Sequence, residues 1–343
     1  MRHHRIPTAG VRLAAGLALL ALAEPAAAGE KGTVTVEKVA YKGWENNLRL
    51  SNGDAELIVT LDVGPRVISY RLKDGKNVLK NYDEMMGKSG EPEWQIRGGL
   101  RFWLGPEDLT RTYYPDNAPV KHEQIGPGAV RLTPPPEEKY GVQKEMEVRL
   151  AEKGSQVHVT LRVTNIGKEP TELAPWGPTV MAPGGVEVIP LPPHHPHPGS
   201  PKNAKSPADF GPSLRMVLWP YFDFTDPRWT LGSKYILLRQ DPKRGPTKIG
   251  LAHRQGWVGY LNEGTLFVAR FGYDERANYP DLGVNYQTFS NEDMLEIEPI
   301  GGVVTLEPGG KAELSIDWEL HAVAGEVKSE ADVDRLILPR VAP

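Results

Sequence analysis

Residues 156–164 read Gln-Val-His-Val-Thr-Leu-Arg-Val-Thr, and this alternation constrains the fold more than any other feature of the chain. Val157, Val159, Leu161 and Val163 fall on one face, Gln156, His158, Thr160 and Arg162 on the other. Period two with one polar face is the mark of a half-buried antiparallel strand. Residues 312–320 repeat it, with Leu314, Ile316, Trp318 and Leu320 inward and Glu313, Ser315, Asp317 and Glu319 outward. Similar runs occur at 33–39, 55–61, 66–72, 142–150, 235–239, 256–261, 265–271 and 294–298. Tight-turn chemistry separates them at Asn52-Gly53, Asp74-Gly75, Ile166-Gly167 and Pro308-Gly309. The spacing predicts an all-β chain folded as a large antiparallel β-sandwich, with few short helices. One helix is expected near the end, where Ser329 can cap and Asp332 sits three residues on, before Leu336.

The N-terminus has a different character. Arg2, Arg5 and Arg12 precede an apolar run over 13–23, and Ala26-Ala27-Ala28 supplies small residues before Gly29. That is the layout of an export signal, with an apolar run too short to span a bilayer. Residues 1–28 are read as signal peptide and 29–343 as one sandwich domain, in a periplasmic or secreted protein with no membrane anchor after cleavage. Loss of Arg2, Arg5, Arg12 and Glu24 takes the formal charge from −4 to −6. An acidic balance speaks against nucleic acid. The absence of cysteine excludes disulfides, thiol catalysis and Cys-ligated metal.

Three Pro-, Gly- and aromatic-rich stretches interrupt the strand rhythm, at 81–117, 191–212 and 219–229. Long loops over a rigid sheet are where binding groups sit. Within the first, Trp94, Arg97, Arg101, Trp103 and Glu107 surround the Gly98-Gly99 pair. Aromatic faces cover the C–H face of a sugar, and charged groups bind its hydroxyls. Glu296 and Glu298, two apart, project from one strand face; in a desolvated cleft their repulsion would raise a pKa and suit acid–base work. The competing reading of that pair is an ordinary solvated face. His253 ends a strand and is the candidate catalytic histidine, against a structural role. His194, His195 and His197 lie in a proline-stiffened segment without nearby carboxylates, so no dedicated metal site is expected there. No nucleotide, serine-hydrolase or zinc-peptidase motif occurs, and no cofactor is expected.

Several of these stretches resemble the galactose mutarotase-like superfamily, the aldose epimerases with a β-supersandwich fold, and within it an exported bacterial group of unassigned function. Gly64-Pro65-Arg66-Val67-Ile68 is similar to the early Gly-x-Arg-Ile strand of those epimerases, and Arg97-Gly98-Gly99 to their pocket-lining Arg-Gly-Gly stretch. Ile297-Glu298-Pro299 resembles the late strand whose Glu is the epimerase base, and Glu307-Pro308-Gly309 the turn after it. Trp219-Pro220-Tyr221 with Asp226-Pro227-Arg228-Trp229 resembles the exported group. The resemblance implies a carbohydrate ligand. It departs at Pro175-Trp176-Gly177, where those epimerases carry a histidine acid. His253 would have to replace that acid from another strand, and Trp176 could stack on a sugar instead. The expectation is an exported carbohydrate-binding protein whose pocket is lined by Arg97, Arg101, Trp103, Glu107, Trp176 and Glu296. Glu298 and His253 would be the proton-transfer pair if substrate is converted. A non-catalytic binding module and an envelope structural sandwich are the alternatives, and the oligomeric state is open.

Overall fold

Val157–Asn165 is flanked by Val142–Leu150 and Lys311–Ala322, with Val159 opposite both Val148 and Ile316. The apolar face read from the sequence is the buried one. The computed structural model describes Met1 and residues 34–341. The export signal expected in residues 1–28 therefore falls, apart from Met1, outside the described residues.

These three strands belong to a ten-stranded sheet ordered Trp229–Leu231, Tyr235–Arg239, Val186–Pro190, Trp257–Asn262, Thr265–Arg270, Lys311–Ala322, Val157–Asn165, Val142–Leu150, Ala129–Thr133 and Lys121–Gly126. A second ten-stranded sheet runs Thr35–Tyr41, Trp44–Ser51, Ala55–Thr60, Arg66–Leu72, Gly99–Arg101, Thr179–Met181, Leu295–Pro299, Tyr286–Ser290, Thr247–Leu251 and Met216–Leu218. A small sheet of Val304–Leu306, Thr171–Trp176 and Trp103–Gly105 completes the set. Every pairing is antiparallel among the described strands. Helix is confined to short pieces, including Glu330–Leu336, where Ser329 and Asp332 form the expected capping box.

The two large sheets pack face to face. Tyr70 of the second sheet meets Phe267 and Trp318 of the first at centroid separations of 6.3 and 5.7 Å. Close aromatic contacts of this kind combine large apolar burial with directional packing. Glu187 is fully buried between the sheets, and the hydroxyls of Tyr286 and Thr288 donate to its two oxygens. Burial pushes its pKa up to about 8, the nearby charge of Glu298 adding to the effect and the two hydroxyl bonds opposing it.

The segment before Gly99–Arg101 is a knot of backbone ties. Arg97, Gly98 and Gly99 all have positive φ (48°, 92° and 69°). A Cβ on Gly98 would lie 2.0 Å from the Lys80 carbonyl oxygen, and one on Gly99 2.1 Å from that of Val67. The glycine pair is thus required by close backbone approach. The Arg66 guanidinium, fully buried, donates to the carbonyls of Gln95, Ile96 and Gly98 and pairs with Asp116 at 2.9 Å.

Candidate functional site

Alternation along Leu295–Pro299 sends Leu295 and Ile297 into the core and Glu296 and Glu298 to the outer face of the second sheet. Register brings distant segments of the chain to that face. Gln287 lies opposite Glu298 and Phe289 opposite Glu296; Lys248 lies opposite Phe289, one strand further out. On the other side, Thr179–Met181 separates Glu296 from Gly99–Arg101, placing the Arg101 side chain on the same face.

Two buried ion pairs result. Arg101 Nη1 donates to Glu296 Oε1 at 2.7 Å, and Lys248 Nζ to Glu298 Oε2 at 3.3 Å. Each cation is also covered by indoles. The Arg101 guanidinium lies 3.8 Å from the Trp103 ring centroid and 5.4 Å from that of Trp94. The Lys248 ammonium sits between Trp176 and Trp219, at 5.1 and 5.0 Å. Gly250, next along the face from Lys248, leaves room for Trp219; a Cβ there would be 3.1 Å from the indole. Cation–π contacts in desolvated sites are worth about 2 kcal/mol. Trp103 and Trp176 meet edge to face at 5.2 Å and join the two halves. Tyr113 packs on Trp103 at 4.9 Å and donates to Glu107 at 2.5 Å, at the exposed rim.

The electrostatics single out Glu298. It is 1% exposed, and its Oε1 has no partner among the described residues. Burial is the main cause that raises its pKa, to about 7; Glu296 adds to the rise, while Lys248 and Arg101 oppose it. Gln287 donates to Asp281 at 2.6 Å, which fixes its amide and leaves its Oε1 unpartnered as well. The indole Nε1 groups of Trp94, Trp103 and Trp176 and Arg101 Nε complete a set of buried, unpaired polar atoms on one face. Buried polar atoms are ordinarily satisfied by protein or ordered water, so this concentration sets the face apart from the rest of the sheet. Tyr221 is 45% exposed and lies within reach of the charges of Glu298, Glu107 and Glu296. Its hydroxyl is held protonated by burial, and by the charges of Glu298, Glu107 and Glu296.

Arg101, Trp103, Trp176, Glu296 and Glu298 thus come together, with Glu107 at the edge. Trp176 is fully buried and cannot offer a ring to a sugar; it is a floor under Lys248. Arg97 is directed elsewhere. Its guanidinium is bound within its own segment to Met85 O (3.1 Å), Asn117 Oδ1 (2.9 Å) and Glu91 (2.5 Å). Three successive positive-φ residues reset the strand phase between Arg97 and Arg101, so side-chain direction could not be counted across them. His253 is on the core side, its ring packed between Phe271 and Tyr286, with Nε2 2.9 Å from Trp257 O. Burial drops its pKa to about 4, and it is not beside Glu298. Lys248, Gln287 and Tyr113 carry no role in the sequence alone, while Trp94, Trp219 and Tyr221 stand out there only as members of aromatic-rich motifs. Lys248 had a local signal: it alternates with Ile249 and Leu251 in a short apolar strand.

No family model matches the chain, and no curated protein matches it. Among solved structures, it is similar to the Slr1438 protein from Synechocystis sp. PCC 6803 (TM-score 0.56, 10% identity, 83% of this chain and 99% of that one). It is also similar to a galactose mutarotase-like protein from Lactobacillus casei ATCC 334 (TM-score 0.51, 14% identity, 80% and 100%). A TPR-domain containing protein from Parabacteroides distasonis ATCC 8503 matches over 82% of this chain but 48% of its own (TM-score 0.54, 16% identity). At these identities the likeness is one of fold: the chain has the galactose mutarotase-like sandwich fold.

Proposed function

We propose that this chain binds a carbohydrate on the indole-covered face of the second sheet, and that displacement of the covering Trp219 and Tyr221 brings one of its hydroxyls to the buried Glu298 for proton exchange. The observation that carries the proposal is the unpartnered Oε1 of a buried carboxylate, flanked by Lys248 and by aromatic rings. A carboxyl poised near neutrality both accepts and returns a proton at working pH. The half-buried Trp94 and Trp219 and the exposed Tyr221 supply apolar faces, and Glu107 at the rim supplies an acceptor for hydroxyls. Tyr221, kept protonated by its surroundings, suits the role of hydrogen-bond donor to a sugar oxygen. Likeness to galactose mutarotase-like folds supports the ligand class.

The test is calorimetric titration with a panel of free monosaccharides, paired with NMR exchange spectroscopy of their anomers, on wild type and Glu298→Gln. Binding retained within a few-fold in the variant, with anomer exchange lost, is the expected result. Binding without exchange in wild type would reduce the protein to a recognition module, and no binding by any sugar would overturn the proposal. We further propose export through the N-terminal segment. N-terminal sequencing of protein from the periplasmic or culture fraction should begin at Gly29; an intact Met1 would overturn it.

A further inference from the structure

A second polar site lies away from these carboxylates. Along Val142–Leu150 the core-facing positions are Val142, Lys144, Met146, Val148 and Leu150, so a lysine occupies a place where the pattern calls for an apolar residue. Its ammonium pairs with Glu137 at 2.6 Å and lies 5.6 Å from the Phe102 ring centroid. Both side chains are more than nine-tenths buried, and Glu137 Oε2 has no partner among the described residues. Taking both charges out of water costs several kcal/mol per ion, and one bond between them leaves donors and an acceptor unused.

Lys144 and Glu137 line a cleft of about 150 Å³ with Phe102, Tyr114 and the proline run Pro134-Pro135-Pro136. The prolines stiffen the approach to Glu137, and the Gln143 amide donates to the Pro134 carbonyl at 2.9 Å, holding that run to the strand. The cleft exceeds the 10–15 Å³ one water needs and falls short of the roughly 300 Å³ of a drug-sized pocket. It therefore suits a single small ring. A hydroxyl, like water, accepts from an ammonium and donates to a carboxylate through the same atom. Proline and aromatic walls match the C–H face of a saturated ring.

We propose that this cleft is a second binding site, for one hydroxyl-bearing saturated ring of monosaccharide size, with its hydroxyl seated between Lys144 Nζ and Glu137 Oε2. It is independent of the Glu298 face. The probe is methyl α-D-glucopyranoside or methyl α-D-galactopyranoside at millimolar concentration, read by the ring NMR signals of Phe102 and Tyr114. The Lys144→Met/Glu137→Gln variant removes both charges together, a replacement that buried pairs tolerate. In wild type and in Glu298→Gln the ring signals should shift saturably with either probe; in the paired variant the response should fall at least tenfold. Circular dichroism and the melting curve establish that the variant is folded. If it melts early, Lys144→Arg, which keeps the charge but fills the cleft, should lose the response in its place. Unmoved ring signals in wild type, or the same response in both cleft variants, would overturn the site whatever happens at Glu298.

Discussion

Val157–Asn165 and Leu295–Pro299 carry the same written pattern, yet their polar faces meet opposite fates. On the first, Arg162 joins Glu147 at 2.9 Å and the exposed Glu313 at 2.5 Å, Arg131 joins Glu147 at 2.9 Å, and His158 pairs with Asp317 at 2.7 Å. This ladder is open to water, where ion pairs contribute under about 1 kcal/mol. On the second, Glu296 and Glu298 are covered by indoles and each holds one buried cation. The difference teaches that alternation says which side chains share a face, and nothing about whether that face is roofed.

Breaking the roofed pair should have the largest effect. Lys248→Met leaves Glu298 buried without its cation and should lower unfolding free energy by about 3–5 kcal/mol at neutral pH. Urea titration should show much of the loss recovered near pH 5, where the carboxyl is neutral; equal losses at both pH values would mean that lost packing is the cause.

The two buried carboxyls with raised pKa give the next effect. Glu187 and Glu298 both bind protons more tightly when folded than when unfolded. The stability they confer is complete below the ordinary glutamate pKa of about 4.3 and is lost as pH rises through about 7 and about 8. Glu187→Gln keeps a group that can bond to Tyr286 and Thr288 and should flatten the upper part of this decline, by up to a few kcal/mol at pH 9, at about 1.4 kcal/mol per tenfold change in proton affinity. A melting temperature that falls between pH 6 and 9 as steeply in the variant as in wild type would contradict this.

The open ladder gives the smallest. Arg162→Gln should cost less than about 1 kcal/mol, and 0.5 M salt should erase most of the difference. A larger, salt-insensitive cost would show that this face too is effectively shielded.

Much of the strand map was legible in the sequence. Arg66–Leu72, Val142–Leu150 and Tyr235–Arg239 fall at the boundaries expected from alternation, and Ser329 caps as expected, because these signals act between residues near in the chain. The short strands Gly99–Arg101 and Thr179–Met181 were not legible, having too few residues for a period to show. Of the site, the Glu296/Glu298 pair and the aromatic content of the segment around Trp103 could be read locally. The choice of Arg101 over Arg97 could not, since it turns on three positive-φ residues that shift the phase.

By itself the sequence determined an all-β chain, the inward and outward faces of its long strands, its main turns and a short capped helix. Each follows from hydrophobic period or turn chemistry within a few residues. Only the tertiary structure decided that Lys248 meets Glu298, that Arg101 meets Glu296 from 195 residues away, and that His253 is sealed on the core side. Those outcomes depend on strand order and on which loop lies over which face, and burial by a distant segment is what changes a solvated carboxylate into one poised near neutral pH.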